Sequence, residues 1–296
     1  MMEEDILRFV SYLENEKHMA KNTLVSYRRD LIQLNEWMKG QSVTETVKVT
    51  HTLLNSYILW LEKCGKATTT VSRVTASVKA FFTYEVNSGS LSENPAEGMK
   101  APKVEKKAPT VLTSDEVERF LEQTNGKSVK RIRDRAMLEL LYATGVRVSE
   151  IIGLKVSDLN FSVGFLTCHD GEKERAIPFG RVAREALITY LESARGKLLK
   201  GHESDLLFVN CSGKSMSRQG FWKIIKYYGD KAGIRTDITP QALRHSFAVH
   251  LIKNGADVRS VQAMLGHSDM STTHAYVSFI KNPGIREVYA GAHPRH

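Results

Sequence analysis

The stretch that decides the fold reads Leu140-Leu141-Tyr142-Ala143-Thr144-Gly145-Val146-Arg147-Val148-Ser149-Glu150. From Arg133 up to Gly145 the apolar residues have helical spacing, and Ser149 to Leu154 predicts a short second helix. Gly145 predicts the turn between them, because glycine readily adopts the backbone conformation that ends a helix. Arg147 is therefore expected near a helix start, where backbone amides also point outward.

On the C-terminal side of this stretch the pattern is helical, with one exception. Residues 161–178 place short apolar runs on both sides of the polar residues 169–174, which predicts a β-hairpin. Further helices are predicted over residues 181–195, 217–232, 240–253, 257–265 and 271–279.

On the N-terminal side the chain divides at residues 101–110, a charged stretch with two prolines that predicts a linker. Thr113 and Glu116 then have the spacing of a capping box, which predicts the first helix of a second domain over 111–296. Residues 1–100 predict a compact four-helix unit from the patterns at 4–17, 24–37, 52–64 and 68–86. The expected fold class is mainly α, with two domains, the second mostly helical with a small β-sheet or hairpin.

The charge of the chain favours a polyanionic partner such as nucleic acid. Lys and Arg total 42 against 33 Asp and Glu, and the sequence pI is about 9.3. Up to residue 100 the two signs are equal at 12 each, so the positive excess lies entirely in the C-terminal part. We therefore expect the basic surface that would contact such a partner to lie mainly there.

The cysteines and the N-terminus bear on location. Cys64, Cys168 and Cys211 form neither a CxxC metal site nor a disulfide framework, which is typical of reduced thiols in the cytosol. The N-terminus lacks the basic and apolar regions of a secretion signal, and no stretch approaches the roughly 20 apolar residues that span a bilayer. We expect a cytoplasmic protein with no membrane partner.

Several side chains of the second domain suit phosphodiester chemistry without a metal, which needs cations for the phosphate, a nucleophile and an acid. Arg147 and Arg244 could clamp two phosphate oxygens, a geometry that lysine does not match. His267 and Tyr276, nine residues apart, could reach the same phosphate. The alternatives are a surface salt bridge for either arginine, and a core position for Tyr276 with its hydroxyl bound to a partner.

Lone histidines elsewhere in the domain have a simpler interpretation. His245, His250 and His274 are expected to be hydrogen-bonded structural residues.

Four elements occur in an order and spacing that resemble the tyrosine recombinase (phage integrase) family, in its XerC/XerD-like branch. They are residues 140–150, Leu243-Arg244-His245-Ser246-Phe247-Ala248, Leu265-Gly266-His267-Ser268, and then Tyr276. The resemblance covers nearly the whole chain, because residues 1 to about 100 resemble the helical, SAM-like core-binding domain of these enzymes.

The resemblance implies a site-specific recombinase acting on double-stranded DNA. Arg147 and Arg244 would bind the scissile phosphate, His267 would hydrogen-bond it, and Tyr276 would form a 3′-phosphotyrosine. A homo- or hetero-tetramer would act on synapsed sites, with the C-terminal tail docking on a neighbouring protomer. No cofactor and no metal are implied, because the phosphotyrosine link stores the bond energy.

Two positions depart from the family pattern. Gln241 stands where the family has His or Lys, and glutamine donates a hydrogen bond but does not titrate. The hairpin His169-Asp170-Gly171-Glu172-Lys173-Glu174-Arg175 is one residue short. We predict that Lys173 is the acid that protonates the leaving oxygen, with His169 as the alternative.

Three other functions compete with an active recombinase. The altered hairpin and Gln241 favour an architectural or regulatory DNA-binding protein with weak or no cleavage, whereas the intact Arg147, Arg244, His267 and Tyr276 oppose it. A type IB topoisomerase would share the chemistry, but the Xer-like N-terminal domain and tail argue against it. A helical protein without a nucleic-acid role is disfavoured by the order of the motifs.

Overall fold

The computed structural model describes residues 2–105, 108–170, 173–266 and 276. The chain divides into two compact units, Met1–Lys107 and Ala108–His296. The division falls within residues 101–110, and residues 101–105 and 108–113 carry neither helix nor strand. The mainly α fold class is confirmed.

Within residues 2–105, the first unit consists of four α-helices packed around one apolar core. The helices are α1 (Met2–Asn15), α2 (Lys21–Gly40), α3 (His51–Lys63) and α4 (Thr68–Asn87), with a 3-10 turn at Thr46–Lys48. Phe9, Leu31, Tyr57 and Phe81 are buried in that core. The four helical patterns are confirmed, although α2 is longer at both ends than its apolar residues predicted.

The described part of the second unit is mostly helical. Its α-helices are α5 (Ser114–Glu122), α6 (Val129–Thr144), α7 (Val148–Gly153), α8 (Arg181–Tyr190), α9 (Gly196–Leu199), α10 (Arg218–Lys231), α11 (Pro240–Lys253) and α12 (Val258–Leu265). The predicted capping box of Thr113 and Glu116 opens α5. Thr239 caps α11 through the amide of Ala242, with Pro240 in the first helical turn. The pattern at 181–195 is divided, because Leu191–Arg195 forms a π-helical segment between α8 and α9.

A small antiparallel sheet lies between α7 and α8. Its strands are β1 (Leu159–Asn160), β2 (Phe165–Asp170) and β3 (Lys173–Pro178), in the order β1-β2-β3. The hairpin is confirmed, and its strands extend beyond the apolar runs into the polar residues. His169 pairs with Glu174 and Asp170 with Lys173, so the polar residues continue the strands. The ring of His169 contacts the Glu174 carboxylate at 3.1 Å, a cross-strand pair that stabilises the extended backbone.

The second unit contains a separate small apolar cluster between α11 and α12. Its buried members include Phe247, Ile252, Val261, Leu265 and Tyr276. Of the helix predicted over 271–279, Tyr276 is described and is helical, and the other residues lie outside the described part. The cluster brings Tyr276 against the helix that carries Arg244.

Candidate active site

Three arginine side chains converge on the C-terminal end of α12. They donate to consecutive carbonyls, Arg175 Nε to Met264 at 2.9 Å, Arg244 Nη2 to Leu265, and Arg147 Nη2 to Gly266 at 2.7 Å. The last carbonyls of a helix have no partner within it and form the negative end of its dipole, so cations stabilise this position. The arginines therefore surround the turn that precedes His267, which itself lies outside the described residues.

Two glycines allow this approach. Gly145 ends α6 with φ +60°, and its carbonyl accepts a hydrogen bond from Arg244 Nη1. A Cβ atom there would lie 2.3 Å from the Phe247 ring. Gly266 ends α12 with φ +63°, and a Cβ atom there would lie 3.0 Å from the Arg175 guanidinium. At Gly145 both the backbone conformation and the Phe247 ring exclude a side chain, whereas at Gly266 a side chain would strain the backbone and displace the Arg175 guanidinium slightly.

Glu150 connects two of the arginines. Its carboxylate accepts from Arg147 Nη1 at 2.9 Å and from Arg175 Nη2 at 2.8 Å, and it also accepts the backbone amide of Arg147 at 2.6 Å. Burial acts to raise the pKa of Glu150, but the bonds from Arg175 and Arg147 outweigh it and the pKa is lowered. The carboxylate thus stays ionised and holds Arg147 in place.

Arg244 differs from its neighbours because it is almost fully buried, at 3% exposure. Both of its η nitrogens donate to carbonyls, which carry no formal charge. Burial, together with the like charge of Arg147, lowers the pKa of Arg244 to about 10. A bound anion would raise the pKa of Arg244 again, since an opposite charge favours the charged form of a guanidinium.

Tyr276 is buried at 1% exposure, and its hydroxyl lies 2.7 Å from Nδ1 of His245 on α11. Burial raises the pKa of Tyr276, and the nearby charge of Arg244 acts in the opposite direction. The burial of Tyr276 and its bonded hydroxyl match the alternative of a core position. The same position also places the hydroxyl within electrostatic range of Arg244. His245 was expected to be a structural histidine, and no sequence pattern identified its partner.

The candidates for the acid occupy different positions on the hairpin. Lys173 begins β3 opposite Asp170, and its side chain lies outside the described part. His169 is half-exposed, between the Glu174 carboxylate at 3.1 Å and the Asp158 carboxylate at 3.4 Å. Gln241 is exposed in the first turn of α11.

The structure brings together three of the five predicted site residues, Arg147, Arg244 and Tyr276. Sequence reasoning missed Glu150, Arg175 and His245 as members of the site. The spacing Arg147-x-x-Glu150 was a usable signal, because a glutamate three residues after the residue that precedes a helix commonly bonds back to it.

Other kinds of site are not evident in the described part of the chain. Its residues contain no group of His, Cys, Asp or Glu side chains that could hold a metal ion. Nor does any described helix have the length and apolar character required to cross a membrane. Burial raises the pKa of the Cys168 thiol to about 12, which suppresses its reactivity.

Two family models match the chain. Residues 110–282 match the phage integrase family, and residues 6–89 match the phage integrase N-terminal SAM-like domain. Together the matched ranges cover most of both units.

Individual proteins give the same result. The chain is 43% identical to tyrosine recombinase XerD of Oceanobacillus iheyensis over 100% of both chains, and 41% identical to that of Halalkalibacterium halodurans over 98% of both. Among solved structures, XerH recombinase bound to its palindromic difH substrate matches with a TM-score of 0.72 and 21% identity, over 100% of this chain and 96% of that one.

Proposed function

Because this chain belongs to the phage integrase family and is a site-specific tyrosine recombinase that acts on double-stranded DNA, we propose that Arg147 and Arg244 bind the scissile phosphate for attack by Tyr276. One observation carries the assignment. Arg147 and Arg244 donate to the adjacent carbonyls of Gly266 and Leu265, so their guanidiniums lie close together, and Arg244 is within electrostatic range of the Tyr276 hydroxyl.

The arginines would stabilise the charge that develops during cleavage. Planar guanidiniums bind phosphate oxygens through paired N–H donors, and fixed donors are most effective where negative charge grows in the transition state. Arg147 has a side chain 37% exposed, which leaves it accessible to DNA, while Glu150 holds it in position. Arg244 supplies a buried charge that a phosphate would balance. His267, directly after Gly266, would add a further hydrogen bond.

The reaction needs no external energy source. The Tyr276 Oη would form a bond to phosphorus while the bond from phosphorus to the 5′ oxygen breaks, giving a 3′-phosphotyrosine and a free 5′-hydroxyl. The 5′-hydroxyl of the partner strand then attacks the same phosphorus and releases the tyrosine. The covalent link conserves the phosphodiester bond energy, so no cofactor is required.

Lys173 is the proposed acid for the 5′ oxygen. Residues two apart in a strand share a face, so position 173 belongs to the face of β3 that carries Arg175. Position 169, paired with 174, belongs to the opposite face, and two carboxylates flank His169 there. The register therefore favours Lys173 over His169.

The assembly is proposed to be a tetramer on two synapsed sites in the cytoplasm, with residues 1–100 as the core-binding domain on one side of the DNA. The family resemblance supports this arrangement. So does the apolar stripe of Ile285, Val288 and Tyr289 in the tail from Lys281 to His296, which suits docking on a neighbouring protomer. An architectural role without cleavage is not favoured, because the relative that is 43% identical over the full length of both chains is a tyrosine recombinase.

A covalent-adduct assay tests the proposal. The protein is incubated with labelled duplex DNA carrying its recombination site, the reaction is stopped with detergent, and protein-linked DNA is measured. Tyr276→Phe should form no adduct while binding the duplex with nearly unchanged affinity. Tyr142→Phe is the matched control, because its hydroxyl also bonds a histidine Nδ1, that of His250 at 2.8 Å. Adducts that persist in Tyr276→Phe would transfer the nucleophile to another tyrosine such as Tyr289.

A further inference from the structure

The hydroxyl of Tyr276 contacts His245, which has no role in the reaction proposed above. His245 follows Arg244 on α11, and its Nδ1 lies 2.7 Å from Tyr276 Oη. The two rings are 5.4 Å apart between centroids. A hydroxyl donates its single proton along such a contact when the nitrogen is unprotonated.

A second histidine of the same helix shows what a structural contact looks like here. His250 Nδ1 lies 2.8 Å from Tyr142 Oη, and its Nε2 lies 2.9 Å from the Leu112 carbonyl. Both nitrogens are thus hydrogen-bonded, and the ring connects α11 to Tyr142 on α6 and to Leu112 near the start of the second unit. Within the described residues, His245 Nε2 has no such protein partner, so only one ring nitrogen of His245 is hydrogen-bonded to the protein there.

The surroundings of His245 favour the neutral ring. Burial and the positive charge of Arg244 lower the pKa of His245 below its ordinary value. Burial raises the pKa of Tyr276, so its hydroxyl keeps its proton at neutral pH. A protonated phenol is a weak nucleophile and requires an adjacent base. The neutral ring beside it meets that requirement.

We propose that His245 is a catalytic residue whose Nδ1 accepts the proton of Tyr276 Oη as that oxygen attacks the phosphorus. The inference rests on the proposed function of Tyr276 as the nucleophile.

Protons balance in both directions. During cleavage the phenol proton moves to His245 while the acid on the hairpin delivers another to the 5′ oxygen. During rejoining the 5′-hydroxyl returns its proton, and the imidazolium returns its own to the departing phenolate. Arg244 favours that return, because two adjacent cations repel each other.

The test measures single-turnover cleavage of a site duplex across a range of pH. His245→Ala should cleave about 10² to 10⁴ times more slowly, which is the usual value of a positioned proton acceptor. His245→Asn retains a hydrogen-bond acceptor close to the position of Nδ1 but does not titrate, so it should be as slow as His245→Ala. In the wild type the rate should fall as the pH drops and His245 becomes protonated, and both variants should lose that decline.

His250→Asn is the matched control, since it alters the equivalent contact to Tyr142 on the same helix and should cleave at the wild-type rate. Duplex affinity and the thermal unfolding midpoint are measured for every variant, and His245→Asn suffices where His245→Ala does not fold. A wild-type rate and pH profile in His245→Asn would make the contact a positioning one and overturn the proposal. Faster cleavage by His245→Ala would overturn it too, because the contact would then restrain Tyr276.

The two proposals fail separately. Adducts in Tyr276→Phe would remove the nucleophile and with it the role of His245. If Tyr276→Phe forms none while the His245 variants cleave normally, the nucleophile stands and the proton acceptor is another group.

Discussion

Two arginines of the second unit are almost fully buried, and their surroundings differ in charge. Arg133 on α6 is 2% exposed, and its Nε and Nη2 both donate to Asp134 Oδ1, at 2.9 and 2.6 Å. Tyr228 donates to the other oxygen of that carboxylate at 3.0 Å. Arg244 is 3% exposed and donates to the carbonyls of Gly145 and Leu265.

The pKa directions follow from this difference. Burial acts to lower the pKa of Arg133, but the Asp134 carboxylate outweighs it and the pKa is raised. At Arg244 burial and the charge of Arg147 prevail, and the pKa falls to about 10. The carboxylate pairing of Arg133 is a structural contact within the fold, whereas Arg244, without a carboxylate partner among the described residues, fits the proposed binding of a phosphate. Burial alone therefore does not mark a functional residue.

The largest expected effect distinguishes a residue that binds the phosphate, such as Arg244, from one that donates a proton, such as Lys173. An alkoxide leaves poorly unless protonated, whereas a thiolate leaves without a proton, so sulfur in place of the bridging 5′ oxygen removes the need for the acid. Lys173→Ala should cleave ordinary DNA about 10² to 10⁴ times more slowly and the sulfur-bridged DNA almost normally. Cleavage rates on the two substrates check this.

Arg244→Ala is the control for that experiment, because it should be slow on both substrates through loss of charge stabilisation. Equal defects of Lys173→Ala on the two substrates would make Lys173 a positioning contact. Rescue by sulfur in His169→Ala alone would transfer the role to His169.

The second prediction tests the comparison of the two arginines directly. Arg244→Ala should lower the cleavage rate about 10² to 10³ times, as loss of one preorganised donor does, with a limited loss of stability. Arg133→Ala should leave Asp134 buried without its partner and lower the free energy of unfolding by about 3 to 5 kcal/mol. Its folded fraction should cleave at the wild-type rate.

Denaturant unfolding and cleavage per folded molecule, measured on both variants, separate the two effects. The comparison would break if Arg244→Ala lost as much stability as Arg133→Ala and kept its cleavage rate.

Sequence patterns within a few residues predicted the helices and the hairpin well. They did not predict contacts between residues far apart in the chain. The Thr113–Glu116 capping box and the helix predicted over 240–253 depend on neighbours a few residues apart, and both are present. The ends of β2 and β3 depend on cross-strand pairing, which composition does not show. The resemblance supplied the arginines and Tyr276 as candidates, but their arrangement around α12 depends on bonds such as Arg147 to Gly266, 119 residues apart.

The third and smallest prediction concerns Glu150, the carboxylate that Arg147 and Arg175 share. Its folded-state pKa lies below the unfolded value, so Glu150 contributes stability that is present above the unfolded pKa and is lost as the pH falls through the folded one. Glu150→Gln should therefore lower the free energy of unfolding at pH 7 by about 1.5 to 3 kcal/mol, the usual contribution of hydrogen bonds to a charged group. The deficit should shrink as the pH falls through the acid range.

Unfolding curves of both proteins between neutral and acid pH provide the measurement. Glu185→Gln is the control, because the Glu185 carboxylate pairs with Arg181 at 2.9 Å but is 60% exposed, and such pairs contribute little. A Glu150→Gln deficit that stayed constant with pH would mean that its charge does not stabilise the arginines. The carbonyls at the end of α12 would then suffice to hold Arg147 and Arg175, as they hold Arg244, and the cluster would need no carboxylate before DNA binds.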